Sequence, residues 1–300
     1  MTASLQTPRL ARPVVDLSVA IVNYRSLALL QSCLQTWQSA TEGMRAELCV
    51  LETGTGEDIG PVVRRLVPDA RIQVLDRSVA FSAAVNTALH GARGRHFALL
   101  NPDTQLGPQS LTVLVRHLDE HPEVGIVGPR VWDDAAHTRQ QRSFRCFPGL
   151  ATVFCHRYSL LTKLWPRNAL TRAYLKLDAP SDVVQQADWV SGCCLVVRRE
   201  LFEQLGGLDT RYPMFCEDVD LCRRVHDRGY RVVYEPRAEI VHHVGGSRRS
   251  APLRSEWLRH RSISHYVCKF HRRGNPWTWL LLVGVWVRFL ARCVVVGRSR

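Results

Sequence analysis

From Asp16 onward, short β-rich runs alternate with helical ones, and this alternation limits the folds open to the chain more than any other feature. Leu17-Ser18-Val19-Ala20-Ile21-Val22 reads as a strand, and Leu27, Leu30, Leu34 and Trp37 recur behind it at helical spacing. Strands are then expected at residues 47–51, 71–75 and 96–100, with helices at 62–67, 83–92 and 111–118 between and after them. A helix between successive strands carries the chain back over the sheet, so the strands run parallel and both faces are covered. In sheets of this kind ligands sit at the carboxyl ends of the strands.

The second half is less regular. Residues 140–177 mix aromatic, basic and apolar side chains without a clear strand and read as a loop followed by a helix around 170–177. A strand-like run at 189–197 leads into a short helix near 200–205 and the turn Gly206-Gly207-Leu208-Asp209. A helix at 218–228 ends at Gly229, and 231–234 and 239–241 read as the last strands.

After Ser247 the composition changes. Residues 248–300 hold twelve Arg or Lys against the single acid Glu256, which is +11 of the net +13; the remaining 247 residues carry only +2. A near-neutral body with a basic tail predicts an anionic partner for the tail. Residues 254–273 read as a basic helix, and Pro276 opens a 21-residue apolar stretch from Trp277 to Gly297, broken by Arg288 and Arg292. Each arginine near the middle of a span costs about 2.5–3.5 kcal/mol, which disfavours a crossing helix. Tryptophans beside arginines suit a helix lying in the headgroup layer of an anionic membrane surface; the alternatives are a helix packed on the body or a contact with another protein chain. Nucleic acid is not expected, because the arginines mostly precede the tryptophans rather than interleave with them. Ten cysteines occur without a CxxC pair and read as reduced thiols, and residues 1–15, an N-terminal extension, have no apolar signal segment. Both features predict a body facing the cytoplasm.

Three segments carry chemistry. Leu99-Leu100-Asn101-Pro102-Asp103-Thr104 puts the Asp103 carboxylate just past a strand end, where one oxygen ligand can help hold Mg²⁺ or Mn²⁺ against a diphosphate. Pro and Asp also favour a plain turn there. Glu217-Asp218-Val219-Asp220 places three acids at a helix start, where the helix dipole favours them. Asp218 and Asp220 cannot share a helical face, so one can enter a cleft as a general base while the other caps the helix or pairs with an arginine. His242 and His243 end a strand-like run on opposite faces, so at most one serves the site, as a neutral-imidazole metal ligand.

Taken in order, these segments resemble the family-2 glycosyltransferases of the GT-A fold, in particular the bacterial rhamnosyltransferase-like branch. Val19-Ala20-Ile21-Val22-Asn23-Tyr24 is similar to the opening strand, and Leu99 to Thr104 looks like the Leu-Asn-Pro-Asp-Thr form of the DxD motif. Residues 191–199 and Gly206-Gly207-Leu208-Asp209 resemble the acceptor-side strand and turn. Glu217 to Leu221 looks like Glu-Asp-x-Asp-Leu, and His242, Gly245 and Ser247 resemble the closing His-x-x-Gly-x-Ser. The resemblance departs at Leu51-Glu52-Thr53-Gly54-Thr55, in place of Val-Asp-Asn-x-Ser, and at Ser78-Val79-Ala80-Phe81, in place of Asn-x-Gly-Phe, though Phe81 and the later Asn86 are kept.

The resemblance implies an α/β GT-A nucleotide-diphospho-sugar transferase fold: a Rossmann-like, mostly parallel sheet with helices on both faces, followed by a basic amphipathic C-terminal helical segment. It implies a domain over 16–247, with a nucleotide-sugar half at 16–104 and an acceptor half at 105–247, and a Trp-rich membrane-associated segment at 248–300. By position, Asp103 and His242 would hold Mg²⁺ or Mn²⁺, Asp218 would be the catalytic base, and Glu217 would contact the acceptor or position that base. Asn23, Tyr24, Glu52, Phe81, Asn86 and Asn101 would line the donor side. The implied reaction is a metal-dependent inverting transfer of a sugar, first of all L-rhamnose from dTDP-rhamnose, to a hydroxyl of a lipid-linked or cell-surface glycan at the inner face of the plasma membrane. A homo-oligomer is compatible with this reading. The alternative, motivated by Glu52 and Ala80, is a nucleotide-sugar-binding scaffold protein without turnover.

Overall fold

A computed structural model describes residues 15–149, 164–165, 168–243, 252–271 and 274–298. Nearly all of the N-terminal extension, together with Gly245, Ser247 and the boundary at 247, lies outside the described residues.

Strands β1 (Val15–Asn23), β2 (Ala46–Thr53), β3 (Arg71–Leu75) and β4 (Gly94–Leu100) pair in parallel in the order β3-β2-β1-β4. Helices α1 (Leu27–Leu34), α2 (Trp37–Ala40), α3 (Gly60–Leu66) and α4 (Phe81–Leu89) form the connections. The period-2 alternation of β1 divides its side chains between two cores. Leu17, Val19 and Ile21 pack with Leu30, Leu34, Leu48 and Val50 on one face. Ala20 and Val22 pack with Leu51, Ala84 and Leu99 on the other.

Beyond β4 the sheet continues through β11 (Cys194–Arg198), β6 (Val124–Trp132), β12 (Arg231–His242) and β5 (Thr104–Leu106). The strand β11 is antiparallel to both β4 and β6, β12 runs parallel to β6, and β5 is antiparallel to β12 with His242 opposite Thr104. Two short strands attach at the side, β7 (Gln140–Gln141) on β6 and β9 (Gln185–Ala187) on β12. A separate pair is made by β8 (Phe144–Arg145) and β10 (Trp189–Val190). Helices α5 (Ser110–Glu120), α6 (Ala169–Tyr174), α7 (Arg199–Gln204) and α8 (Glu217–His226) complete the body.

The expected strand at 189–197 is broken at Ser191-Gly192-Cys193 into β10 and β11, whereas the two runs expected at 231–241 form one strand with a register shift between Glu235 and Glu239. The break frees the 191–193 backbone for the site described below.

Helices α9 (Pro252–Phe270) and α10 (Pro276–Arg298) form a C-terminal pair packed on each other. One face of α9 lies along the segment that leads into α8. The Arg259 guanidinium sits 4.7 Å from the Phe215 ring centroid, the Ser262 hydroxyl donates to the Met214 carbonyl at 2.7 Å, and His265 meets the Tyr212 ring edge-on. Lys269 donates to Asp209 at 2.7 Å and to Asp220 at 2.5 Å. The residues involved recur every three or four positions, as one helical face requires.

In α10, Leu281 and Val285 are buried, while Trp277, Trp279, Leu280, Val283, Val287 and Leu290 are exposed. The two arginines that break the apolar run in sequence leave this face: Arg292 pairs with Glu256 at 3.3 Å, and Arg288 lies among Glu256, Arg259 and Tyr174. Among the described residues, no helix is long and apolar enough to cross a membrane.

Candidate active site

The site is assembled around the three residues that separate β10 from β11. The Asn101 N–H, at the end of β4, donates to the Cys193 carbonyl at 2.9 Å, which fixes the Asn101–Asp103 turn against this segment. The Thr104 hydroxyl donates to the Asn101 carbonyl at 2.6 Å and closes the turn. On the other side of the segment, the Gly192 N–H donates to Asp218 Oδ2 at 2.8 Å. A Cβ on Gly192 would lie 3.0 Å from the Asp218 Cβ, so only glycine lets the backbone approach the carboxylate this closely. Residues far apart in sequence, Asp103 and Asp218, thereby flank the buried Cys193. Its thiol is pushed up to about 12 by burial first, with the nearby Asp103 and Asp218 charges adding to the effect.

Asp218 occupies the first turn of α8, where its Oδ1 accepts the Val219 N–H at 2.8 Å. Burial nonetheless raises its pKa, and the two backbone N–H bonds oppose that rise. Glu217 beside it is raised to about 8 by burial and by the Asp218 charge, and its buried Oε2 has no hydrogen-bond partner among the described residues. At neutral pH this carboxyl is mostly protonated. Asp220 points the other way: it is fully buried and is held by Arg224 at 2.7 Å, Tyr212 and Lys269. The acids therefore divide as helical geometry demands, one toward the segment at Gly192 and one toward an arginine. The backbone just before α8 is held in the left-handed region at two bulky residues, Phe215 (φ 68°) and Cys216 (φ 67°). Such conformations cost of order 1–3 kcal/mol each and persist only where the surroundings enforce them. Arg259 and Ser262 of α9 contact this segment, at the Phe215 ring and the Met214 carbonyl.

At the edge of the sheet, β5–β12 pairing brings His242 beside the Asn101–Asp103 turn. His242 Nε2 lies 3.2 Å from Asp103 Oδ1, with both side chains about nine-tenths buried, and the His243 N–H donates to the Asp103 carbonyl. Among the described residues no cluster of three or more His, Cys, Asp or Glu could enclose a metal ion. A pair is what Mg²⁺ or Mn²⁺ needs when phosphate oxygens and water complete its octahedron. The spacing also fits, because ligands about 2.1 Å from such an ion and at right angles lie about 3 Å apart.

The donor-side residues expected from sequence are divided. Asn23 is fully buried, donating from Nδ2 to Glu57 at 2.7 Å and accepting the Ser26 hydroxyl at 3.0 Å. Glu52 is equally buried and accepts the N–H groups of Gly54 and Thr55 and the Thr55 hydroxyl. Both side chains are thus committed to the loops that follow β1 and β2. Asn86 clamps the Leu208 backbone from both ends of its amide, at 2.8 and 2.9 Å, joining α4 to the Gly206–Asp209 turn. Phe81 opens α4 against the core, and Tyr24 is half-buried with the Arg25 guanidinium 5.9 Å from its ring centroid.

Four participants carry no sequence signal of their own: Glu57, Gln141, the Gly192 N–H and the α9 face. Glu57 and Gln141 lie in polar stretches without period. Backbone contacts and helix docking become visible only once the chain is folded.

The fold matches a solved mannosyltransferase from Pyrobaculum calidifontis, determined with GDP-Man and Mn²⁺, at a TM-score of 0.57 over 95% of this chain and 73% of that one, with 17% identity. The sheet order and this likeness place the protein in the α/β class of the GT-A fold. Residues 13–262 match the profile of the glycosyltransferase like family 2. The chain is 30% identical over 274 residues to an N-acetylglucosaminyl-diphospho-decaprenol L-rhamnosyltransferase of Mycobacterium tuberculosis, covering 87% of this chain and 86% of that one. It is 39% identical over 70 residues to the rhamnosyltransferase WbbL of Escherichia coli, covering 23% of this chain and 26% of that one. The protein belongs to glycosyltransferase family 2, in its rhamnosyltransferase-like branch.

Proposed function

We propose that the protein transfers a sugar with inversion, in the first instance L-rhamnose from dTDP-rhamnose, to a hydroxyl of a lipid-linked saccharide. The observation that carries this reading is the convergence of Asp218 on Gly192 and of Asp103 on His242 across one buried segment. In the transfer, Asp218 accepts the proton of the acceptor hydroxyl as that oxygen bonds to the anomeric carbon. The bond from that carbon to the diphosphate oxygen breaks, and its electron pair leaves with the nucleoside diphosphate. A single displacement inverts the centre. Burial raises the basicity of Asp218, and the two N–H bonds keep its carboxylate aimed. Glu217, neutral at pH 7, adds no second charge beside the base and can donate a hydrogen bond to the acceptor. Asp103 and His242 would hold Mg²⁺ or Mn²⁺, which supplies electrostatic stabilisation of the leaving diphosphate. Residues 16–104 serve the donor: Asn23 and Glu52 set the loops after β1 and β2, and Tyr24, Phe81 and the Asn101 turn border the space beside them. Residues 105–247 serve the acceptor.

The exposed tryptophan-rich face of α10 supports adsorption to the inner surface of the plasma membrane, where a polyprenyl-linked acceptor is met by diffusion in two dimensions. The lipid-linked acceptor in the name of the mycobacterial relative supports the same reading.

The test is a donor panel: purified protein with Mg²⁺ or Mn²⁺ and dTDP-rhamnose, UDP-sugars or GDP-sugars, following nucleoside diphosphate release with and without a membrane extract. Release that requires one donor, the metal and the extract is the expected result. Donor binding without release under any condition would overturn it.

A further inference from the structure

We propose that Gln141 is a positioning residue that fixes the tautomer of His242, so that Nε2 presents a lone pair to a divalent cation shared with Asp103. The inference rests on the metal reading above and concerns which atom of this chain prepares the ligand. Gln141 is held in β7 opposite Val131 of β6, and its amide meets His242 twice. One contact is 2.7 Å from Gln141 Nε2 to the His242 carbonyl, and the other is 3.2 Å between Gln141 Oε1 and His242 Nδ1.

A backbone carbonyl can only accept, so the amide nitrogen must be the atom that faces it. That settles the orientation of the amide and leaves Oε1, an acceptor only, against Nδ1. Nδ1 must therefore carry the ring proton of the neutral imidazole. Its Nε2 then presents a lone pair, and the atom it faces is a carboxylate oxygen, Asp103 Oδ1, at 3.2 Å. Two lone pairs at that distance repel unless a cation lies between them, a proton in the imidazolium or a divalent ion beside the neutral ring. The separation is close to the roughly 3 Å between adjacent ligands of an octahedral Mg²⁺ or Mn²⁺. A hydrogen bond to the far nitrogen of a ligating histidine is the usual means of fixing its tautomer and ring orientation. In this chain a side-chain amide from β7, which pairs with β6 rather than with β12, fills that position, and its second bond holds the His242 backbone.

The test uses the full-length protein labelled with ¹⁵N, with the His242 imidazole assigned by its loss in His242→Gln. At roughly pH 8, above the ordinary histidine range, long-range ¹H–¹⁵N spectra should show His242 protonated on Nδ1. Gln141→Leu should shift the ring toward the other tautomer. Titration with Mn²⁺, read by the free-ion electron paramagnetic resonance signal and by broadening of the His242 resonances, should weaken by about 10–100-fold in Gln141→Leu. Gln141→Glu keeps an acceptor for Nδ1, though no donor for the His242 carbonyl, and should retain the tautomer. An Nε2-protonated His242 in the parent protein would overturn the role of Gln141, as would Gln141→Leu binding Mn²⁺ as well as the parent. Either result leaves the metal reading standing. A parent protein whose His242 signals Mn²⁺ does not broaden would bring down both.

Discussion

The two carboxylates that flank Cys193 sit in opposite surroundings. Asp103 lies at a sheet edge, its oxygen turned to an imidazole nitrogen, with Gln141 at the far side of the ring and the His243 N–H on the Asp103 carbonyl. Asp218 sits at a helix start beside a second carboxyl, where burial works against ionisation and two backbone N–H groups work for it. The first arrangement suits a cation, and the second suits a proton. Environments that separate two acids in this way are how one site divides electrostatic from acid–base work. The difference extends to their supports: the Asp103 end is held by strand pairing within the sheet, whereas the Asp218 end is braced by α9 from outside it.

The largest expected effect separates the two ends directly. Asp218→Asn should reduce kcat by about 10²–10⁴-fold while leaving the donor dissociation constant unchanged by calorimetry. Asp103→Asn should weaken donor binding in the presence of metal. Identical profiles for the two variants would erase the distinction. A smaller effect tests how the proposed base is aimed. Gly192→Ala adds a methyl 3.0 Å from the Asp218 Cβ and 3.3 Å from its Oδ2, which must displace the carboxylate. We expect kcat to fall about tenfold, since small misplacements of reacting groups are costly, with Mn²⁺ uptake at the other end unchanged. An unaltered kcat would mean that Asp218 does not depend on that contact.

The brace can be weakened on its own. Lys269→Met leaves the buried Asp220 with Arg224 and Tyr212 but removes its hydrogen bond to α9, at a cost of about 1–2 kcal/mol. The denaturant midpoint should fall at constant slope. A changed slope would instead indicate that α9 no longer docks in the native state.

Most of the first half was legible because β1 to β4 and their helices follow simple periods, and because β1, β2 and β4 each hold a four-residue apolar run, at 19–22, 48–51 and 97–100. The central strand β6 was not, since Gly125, Gly128 and Pro129 punctuate its sequence like a loop. Packing explains the glycines: a Cβ on Gly125 would strike Leu201 and Val225, and one on Gly128 would strike Val190. Acids and histidines announce themselves by type and position, so Asp103, Asp218 and His242 could be proposed for the site without a structure. Their partners could not, because the Gly192 N–H is backbone and the pairing of Gln141 with His242 depends on strand register. Asn23 and Glu52 were identified as donor-side residues, but only the fold reveals that their polar atoms are spent on the loops beneath. The arginines of α10 show the same limit. Sequence marks Arg288 and Arg292 as breaks in an apolar run, whereas helix rotation turns them toward Glu256 and leaves the tryptophan face uninterrupted.

The smallest effect on turnover should come from the residue beside the base. Glu217 is mostly neutral at pH 7, so Glu217→Gln keeps both shape and charge and should hold kcat within about twofold there. The variants part company with pH. In the unfolded chain Glu217 ionises near its ordinary 4.5, whereas in the folded protein it retains its proton to about 8. Between those values the unfolded state binds fewer protons, so this group makes the protein less stable as pH rises, and the loss levels off above 8. Glu217→Gln removes that slope, and its melting temperature should gain on the parent steadily from pH 4.5 to 8. The rate should follow the same group: the parent loses activity as Glu217 ionises beside Asp218, and the variant does not. Parallel melting curves across this range would put Glu217 in ordinary solvent contact and remove the contrast with Asp103 on which the division of labour rests.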